Sequence, residues 1–197
     1  MIGIYLTHPQ VTIEPSIPVP DWPLSPFGRR RVEVLLAKPW LARMGRIVSS
    51  AERKAVETAS IIGAAFGIRV EQRREMGEND RSATGFLEPA AFEAAADRFF
   101  AAPDESWQGW ETARHASERM DAAVRDVLGG HDTKTAVLLV GHGAVGTLLK
   151  CRMAGRPISR GEDQPAGGGN IFAFGLENRA LLCDWTPMEL FEGNAHA

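Results

Sequence analysis

Two histidines close two apolar runs. His8 follows Ile2-Gly3-Ile4-Tyr5-Leu6-Thr7, and His142 follows Ala136-Val137-Leu138-Leu139-Val140-Gly141. Runs of this kind read as buried strands. Pro9 ends the first, because proline cannot donate to a sheet ladder, and Gly143 turns the chain after the second. An imidazole at the carboxyl end of a strand in an open α/β sheet lies on the edge where ligands bind. A third short strand, Arg46 to Ser50, runs straight into a predicted helix over 51–62, with Ser50 as its N-cap. Arg53 and Lys54 fall in the first turn of that helix, where they oppose the helix dipole. An anion bound at the helix start would offset this; ordinary surface basics paired with Glu57 fit the segment equally well. If the three strands are neighbours, imidazoles, cations and helix N-termini converge on one edge. Positioned cations and amide donors of this kind suit a phosphoryl group, whose negative charge is spread over several oxygens. A histidine held there can act as nucleophile and take the phosphoryl group. A carboxylic acid must then protonate the leaving oxygen and later activate water. Glu78, in the polar loop from Met76 to Leu87, is the first candidate for that acid and Asp80 the second.

The elements that must position these residues follow in chain order. After His8 comes a loop with prolines at 9, 15, 18, 20, 23 and 26, read as an ordered cover over the carboxyl edge. A helix is predicted from Phe27 to Ala37, closed by Pro39, with Arg29, Arg30 and Arg31 as a solvated face or a phosphate-facing patch. Gly67 ends the helix that carries Arg53, and Ile68 to Glu71 reads as a strand. Pro89 opens a helix through about Ala101 with Phe92, Ala96, Phe99 and Phe100 facing inward. A long helix is predicted from about Trp110 to Leu128, with His115 and Arg119 structural or exposed. The strand at 136–140 is apolar throughout, as in a strand buried on both faces. A helix from Ala144 to Met153 starts beside His142. Asn170 to Leu176 and Ala180 to Asp184 read as a closing hairpin, and the chain is expected to fray from about Phe191. The alternation of strand and helix predicts an α/β sandwich with a largely parallel sheet.

Composition narrows the class. The chain has 197 residues, 44% of them apolar, which is enough for one sizeable core and one domain over 1–197. A net charge of −3 gives no electrostatic case for nucleic acid or an anionic membrane. Cys151 and Cys183 form neither a disulfide framework nor a metal-ligand spacing, which favours a reducing compartment. No basic-then-apolar leader and no run of about 20 apolar residues is present, so a cytoplasmic protein is expected. The oligomeric state is open, a homodimer included. There is no Gly-x-Ser-x-Gly elbow, Walker loop or His-Glu-x-x-His. A metal site on His8 and His142 lacks acidic neighbours near either strand end.

Taken in order, these segments resemble the histidine phosphatase superfamily, the phosphoglycerate-mutase-like proteins. The family's opening Arg-His-Gly is matched by Thr7-His8-Pro9. Its Ser-rich strand end and Arg-Ala-x-x-Thr-Ala are matched by Ser49 to Ala59. Glu78 matches its mid-chain acid, Gly109-Trp110-Glu111 resembles the glycine-glutamate pair before a later helix, and Gly141-His142-Gly143 matches its closing Ser-His-Gly. The resemblance implies a three-layer α/β/α sandwich and a cofactor-independent phosphatase acting on a small phosphorylated metabolite. It implies His8 as phosphoacceptor, His142 as the second histidine on the phosphoryl group, and Glu78 as general acid and base. Lys54 falls in the usual arginine slot with Arg53 one residue earlier, and either could reach the phosphate. The family's arginine before the nucleophile is Thr7 here, and Arg81 is the cation placed to compensate. A mutase fits less well, because no second phosphate-holding site is recognisable. The departure at Thr7 supports a rival reading, a catalytically weakened homologue that binds a phosphorylated or carboxylated ligand, or a partner protein, without hydrolysis.

Overall fold

The computed structural model describes residues 1–193. Six strands form one sheet: β1 (Ile2–Thr7), β2 (Met44–Ser50), β3 (Val70–Arg73), β4 (Ala136–Gly141), β5 (Asn170–Gly175) and β6 (Leu181–Pro187). Their spatial order is β3-β2-β4-β1-β5-β6. The first four pair in parallel, and β5 and β6 add on antiparallel beside β1. The three strands expected to meet are therefore neighbours, β2 and β1 flanking β4. The ladder pairs Thr7 with Gly141, and the His8 amide donates to the Gly141 carbonyl at 3.0 Å. Register alone thus sets His8 beside His142.

Side chains alternate across the sheet, as the period of two requires. Ile4, Leu6, Leu138 and Val140 face α1 (Pro26–Leu35) and α2 (Arg53–Phe66). Tyr5, Val137 and Leu139 face α3 (Pro89–Ala101), α4 (Ala113–Gly129) and α5 (Gly143–Ala154). Both faces are covered, giving the three-layer α/β/α sandwich, and for that reason β1 and β4 are apolar at nearly every position rather than alternating.

Several boundaries differ from the sequence expectation. Ser50 does not cap α2: Glu52 is its N-cap, and the Ser50 hydroxyl instead accepts from the Glu52 amide at 3.2 Å. The long helix starts at Ala113 behind a Thr112 cap, because Trp110 is buried against Phe99 and Trp107. Phe191 is not frayed: its ring packs on Trp40, whose indole N–H donates to the Phe191 carbonyl at 3.2 Å. Arg31 is neither a solvated residue nor a phosphate ligand. It pairs with Glu189 at 2.6 Å and donates to Gln10 and to the Gly168 carbonyl, tying the proline loop to the glycine run. That run folds over the His8 backbone: Gly168 has φ +62°, and a Cβ there would lie 2.3 Å from the His8 carbonyl oxygen. Only glycine meets both conditions.

Candidate active site

His142 is fully buried at the start of α5. Tyr5, from the adjacent strand, brackets its peptide group: the phenol accepts from the His142 amide at 3.0 Å and donates to its carbonyl at 3.1 Å. A Cβ at Gly141 would lie 2.2 Å from that phenol oxygen, so the strand must end in glycine here. His142 Nε2 and the Ser50 hydroxyl are 2.8 Å apart, and the Glu52 carboxylate stands 3.5 Å from the same nitrogen. Nδ1 has no partner among the described residues. Burial lowers the pKa of His142 to about 3, against the pull of Glu52. An anion arriving at Nδ1 would reverse that balance, since Glu52 is already in place to hold the second proton.

His8 is half-buried, and its ring centroid lies 5.2 Å from that of His142. Its Nδ1 is 2.8 Å from the Pro9 carbonyl, which can only accept. The proton therefore sits on Nδ1 and the Nε2 lone pair is free. Burial, with the Lys54 charge next, lowers the pKa of His8 to about 4, so the ring is neutral at ordinary pH.

Glu78 is held at the N-terminus of α5, where its carboxylate accepts from the amides of Val145 at 3.1 Å and Ala144 at 3.3 Å. Burial raises its pKa in spite of Arg81 and the Val145 amide. Asp80 differs on both counts: it is exposed, and its hydrogen bonds from Ser82 hold its pKa below the usual range. Glu78 is thus the carboxyl suited to giving up a proton.

The expected cations separate. Arg53 points to solvent and pairs with Glu57 at 2.9 Å. Lys54 is buried, pairs with Glu52, and donates to the Val19 carbonyl at 2.9 Å. Its charge bears on both imidazoles. Arg81 lines the cavity that holds His8 and Glu78, makes no ion pair among the described residues, and lies over the Phe92 ring at 4.8 Å. Thr7 is buried, but its hydroxyl donates to Gln164 at 2.7 Å and accepts from the Asn170 amide at 2.9 Å. It supports the β5 start and does not reach the cavity.

Four residues of the site were missed by sequence reasoning. Glu52 accepts from the Glu78 amide at 2.7 Å and joins Lys54, His142 and the acid loop. Glu111 and Arg119 pair at 2.7 Å, and Arg119 also donates to the carbonyls of Glu75 at 2.6 Å, Gly77 at 3.1 Å and Glu78 at 3.3 Å. In the helix predicted from Trp110 the two would fall two turns apart on one face with His115 between, a readable signal, although Glu111 in fact precedes the Thr112 cap. Gln164 and its bond to Thr7 lie in a loop with no such pattern.

The sequence profile of the histidine phosphatase superfamily (branch 1) matches residues 16–188. The chain belongs to that superfamily. No curated protein sequence matches the chain. Among solved structures it resembles a mycobacterial glucosyl-3-phosphoglycerate phosphatase in complex with inorganic phosphate, with a TM-score of 0.77 at 20% identity over 96% of this chain and 99% of that one. It also resembles Bacillus stearothermophilus YhfR, with a TM-score of 0.78 at 21% identity over 91% of this chain and 93% of the other. At these identities the likeness is one of fold. Within the histidine phosphatase frame, this member has Thr-His-Pro at its first strand end and a lysine-glutamate pair at the start of α2.

Proposed function

We propose that the protein is a phosphatase that hydrolyses a small phosphomonoester through a phosphohistidine at His8. The observation that carries the reading is the fixed tautomer of His8, with its free Nε2 in a cavity that also holds Glu78 and Arg81. Nε2 attacks phosphorus, the ester P–O bond breaks, and the Glu78 carboxyl gives its proton to the leaving oxygen. The Glu78 carboxylate then takes a proton from water. The water oxygen attacks phosphorus, the N–P bond breaks, and inorganic phosphate leaves. His142 Nδ1 and Arg81 hold the equatorial oxygens, where charge is greatest in the transition state. The test is phosphate release from an aryl phosphate with a chelator present, and its inhibition by vanadate. Release that persists with chelator and is blocked by vanadate supports the reading. Tight vanadate binding with no release from any ester favours the rival, a binding module, which the Lys54–Glu52 pairing also supports by reducing the net positive charge.

Two further results are expected. Arg81→Ala should lower kcat/KM by about 10²–10³, the usual loss for a single transition-state donor, whereas Arg53→Ala should leave it unchanged, since that guanidinium faces solvent. Steady-state kinetics of the two variants side by side check this. The pH profile follows from the directions of the two shifts. His8 is neutral, and so nucleophilic, above about 4. Glu78 is protonated below its raised pKa. The active combination is therefore most populated between the two, and kcat/KM measured from about pH 3 to about pH 9 should rise as His8 loses its proton near 4 and fall above the raised pKa of Glu78.

A further inference from the structure

The cavity that holds His8 has a volume of about 370 Å³, and beyond the reacting groups its lining includes four aromatic rings, Phe92, Phe99, Phe100 and Trp110, beside the polar Glu93, Asp163 and Gln164. Its basic side chains are Arg81 and Arg160. Arg160 is fully committed: it pairs with Glu93, with Asp97 at 3.3 Å and with Asp163 at 2.8 Å, while its guanidinium lies 5.8 Å from the Phe100 ring centre. Arg81 is the cation left for the phosphoryl group. A second anionic group entering this cavity would face Glu93 and Asp163 with no free cation beside it; the exposed Arg74 lines the adjoining cavity, which shares Glu78 and Arg81. A carboxylate removed from water without a partner is strongly disfavoured, whereas an apolar ring gains from the same wall.

We infer that the part of the ligand entering this cavity beyond the phosphoryl group, which is the leaving group in a hydrolysis, is uncharged and aromatic or apolar. This rests on the phosphatase reading for its kinetic test, and a binding test separates the two. The kinetic pair is phenyl phosphate against 4-carboxyphenyl phosphate. The carboxylated phenol is the slightly better leaving group, so intrinsic reactivity runs against the expected order. The unmutated protein should show kcat/KM at least about tenfold higher for the uncharged ester, a lower bound on the effect of an unpaired, partly desolvated carboxylate. The double variant Glu93→Gln with Asp97→Asn changes two exposed residues, removes two negative charges and leaves Arg160 paired with Asp163 alone; it should narrow that ratio. A ratio near one or inverted in the unmutated protein, or one that the double variant does not change, overturns the inference. Binding of phenylphosphonate and 4-carboxyphenylphosphonate, which cannot be hydrolysed, is measured in parallel. Preference for the uncharged phosphonate with no ester turned over would overturn the phosphatase reading and sustain the inference; preference for the carboxylated one would overturn the inference whatever the kinetics show.

Discussion

His8→Ala is expected to abolish turnover while leaving the fold intact. The ring is half-buried at a strand end, and the elements around it are held without it: β1 by β4 and β5, and the glycine run by the His8 carbonyl, which alanine retains. Circular dichroism and the urea midpoint should therefore move little. The rate should fall by roughly 10⁴-fold or more, because removing a nucleophile removes the covalent route as a whole and leaves only binding and electrostatic assistance. A neutral imidazole with a free Nε2 is what the geometry prepares: Pro9 fixes the tautomer, and burial with the Lys54 charge keeps the second proton off. His8→Asn would retain a polar side chain of similar reach but no equivalent lone pair, and should be as inactive as alanine.

Glu78→Gln carries the second large effect, and its size should depend on the leaving group. General acid catalysis typically contributes about 10²–10⁴ in rate. An alkoxide needs the proton, so alkyl phosphates should lose that full factor. A nitrophenolate departs without help, so p-nitrophenyl phosphate should lose far less in the phosphorylation step. The variant should also lose the fall in rate towards high pH, because the group that titrates there is gone. An equal loss in the phosphorylation step on both ester classes would mean that Glu78 acts there only through its hydrogen bonds to the amides of Val145 and Ala144. Glutamine keeps the side-chain volume and one carbonyl acceptor for those amides, which makes it a fairer test than alanine.

The frame of the site was legible because it is written in strand ends. Four apolar residues followed by Thr-His-Pro, and five followed by Gly-His-Gly, read as buried strands with an imidazole at the edge. Strand adjacency then does the rest through register. What was not legible depends on where side chains turn after the elements are in place. Arg53 and Lys54 are sequence neighbours in a helix, about 100° apart around its axis, so one faces Glu57 and solvent while the other is buried with Glu52. No pattern along the sequence states which. The choice between Glu78 and Asp80 likewise turns on burial against α5, a contact 67 residues away in sequence for Val145. Thr7 reads as a gap in the pocket, yet its hydroxyl is tied to Gln164 across 157 residues. Arg31 shows the same limit from the other side, since three consecutive arginines look solvated until Glu189 and the Gly168 carbonyl arrive from the far end of the chain.

The most direct test of the account is to look for the phosphoryl group on His8 during turnover. The protein is mixed rapidly with an aryl phosphate, quenched in alkali, where a phosphoramidate survives, and digested for peptide mass spectrometry. The account predicts one phosphoryl group on His8, formed within a single turnover, lost on brief acid treatment, and absent from His8→Ala. Steady release of phosphate with no label on His8, or with the label on another residue, would contradict it.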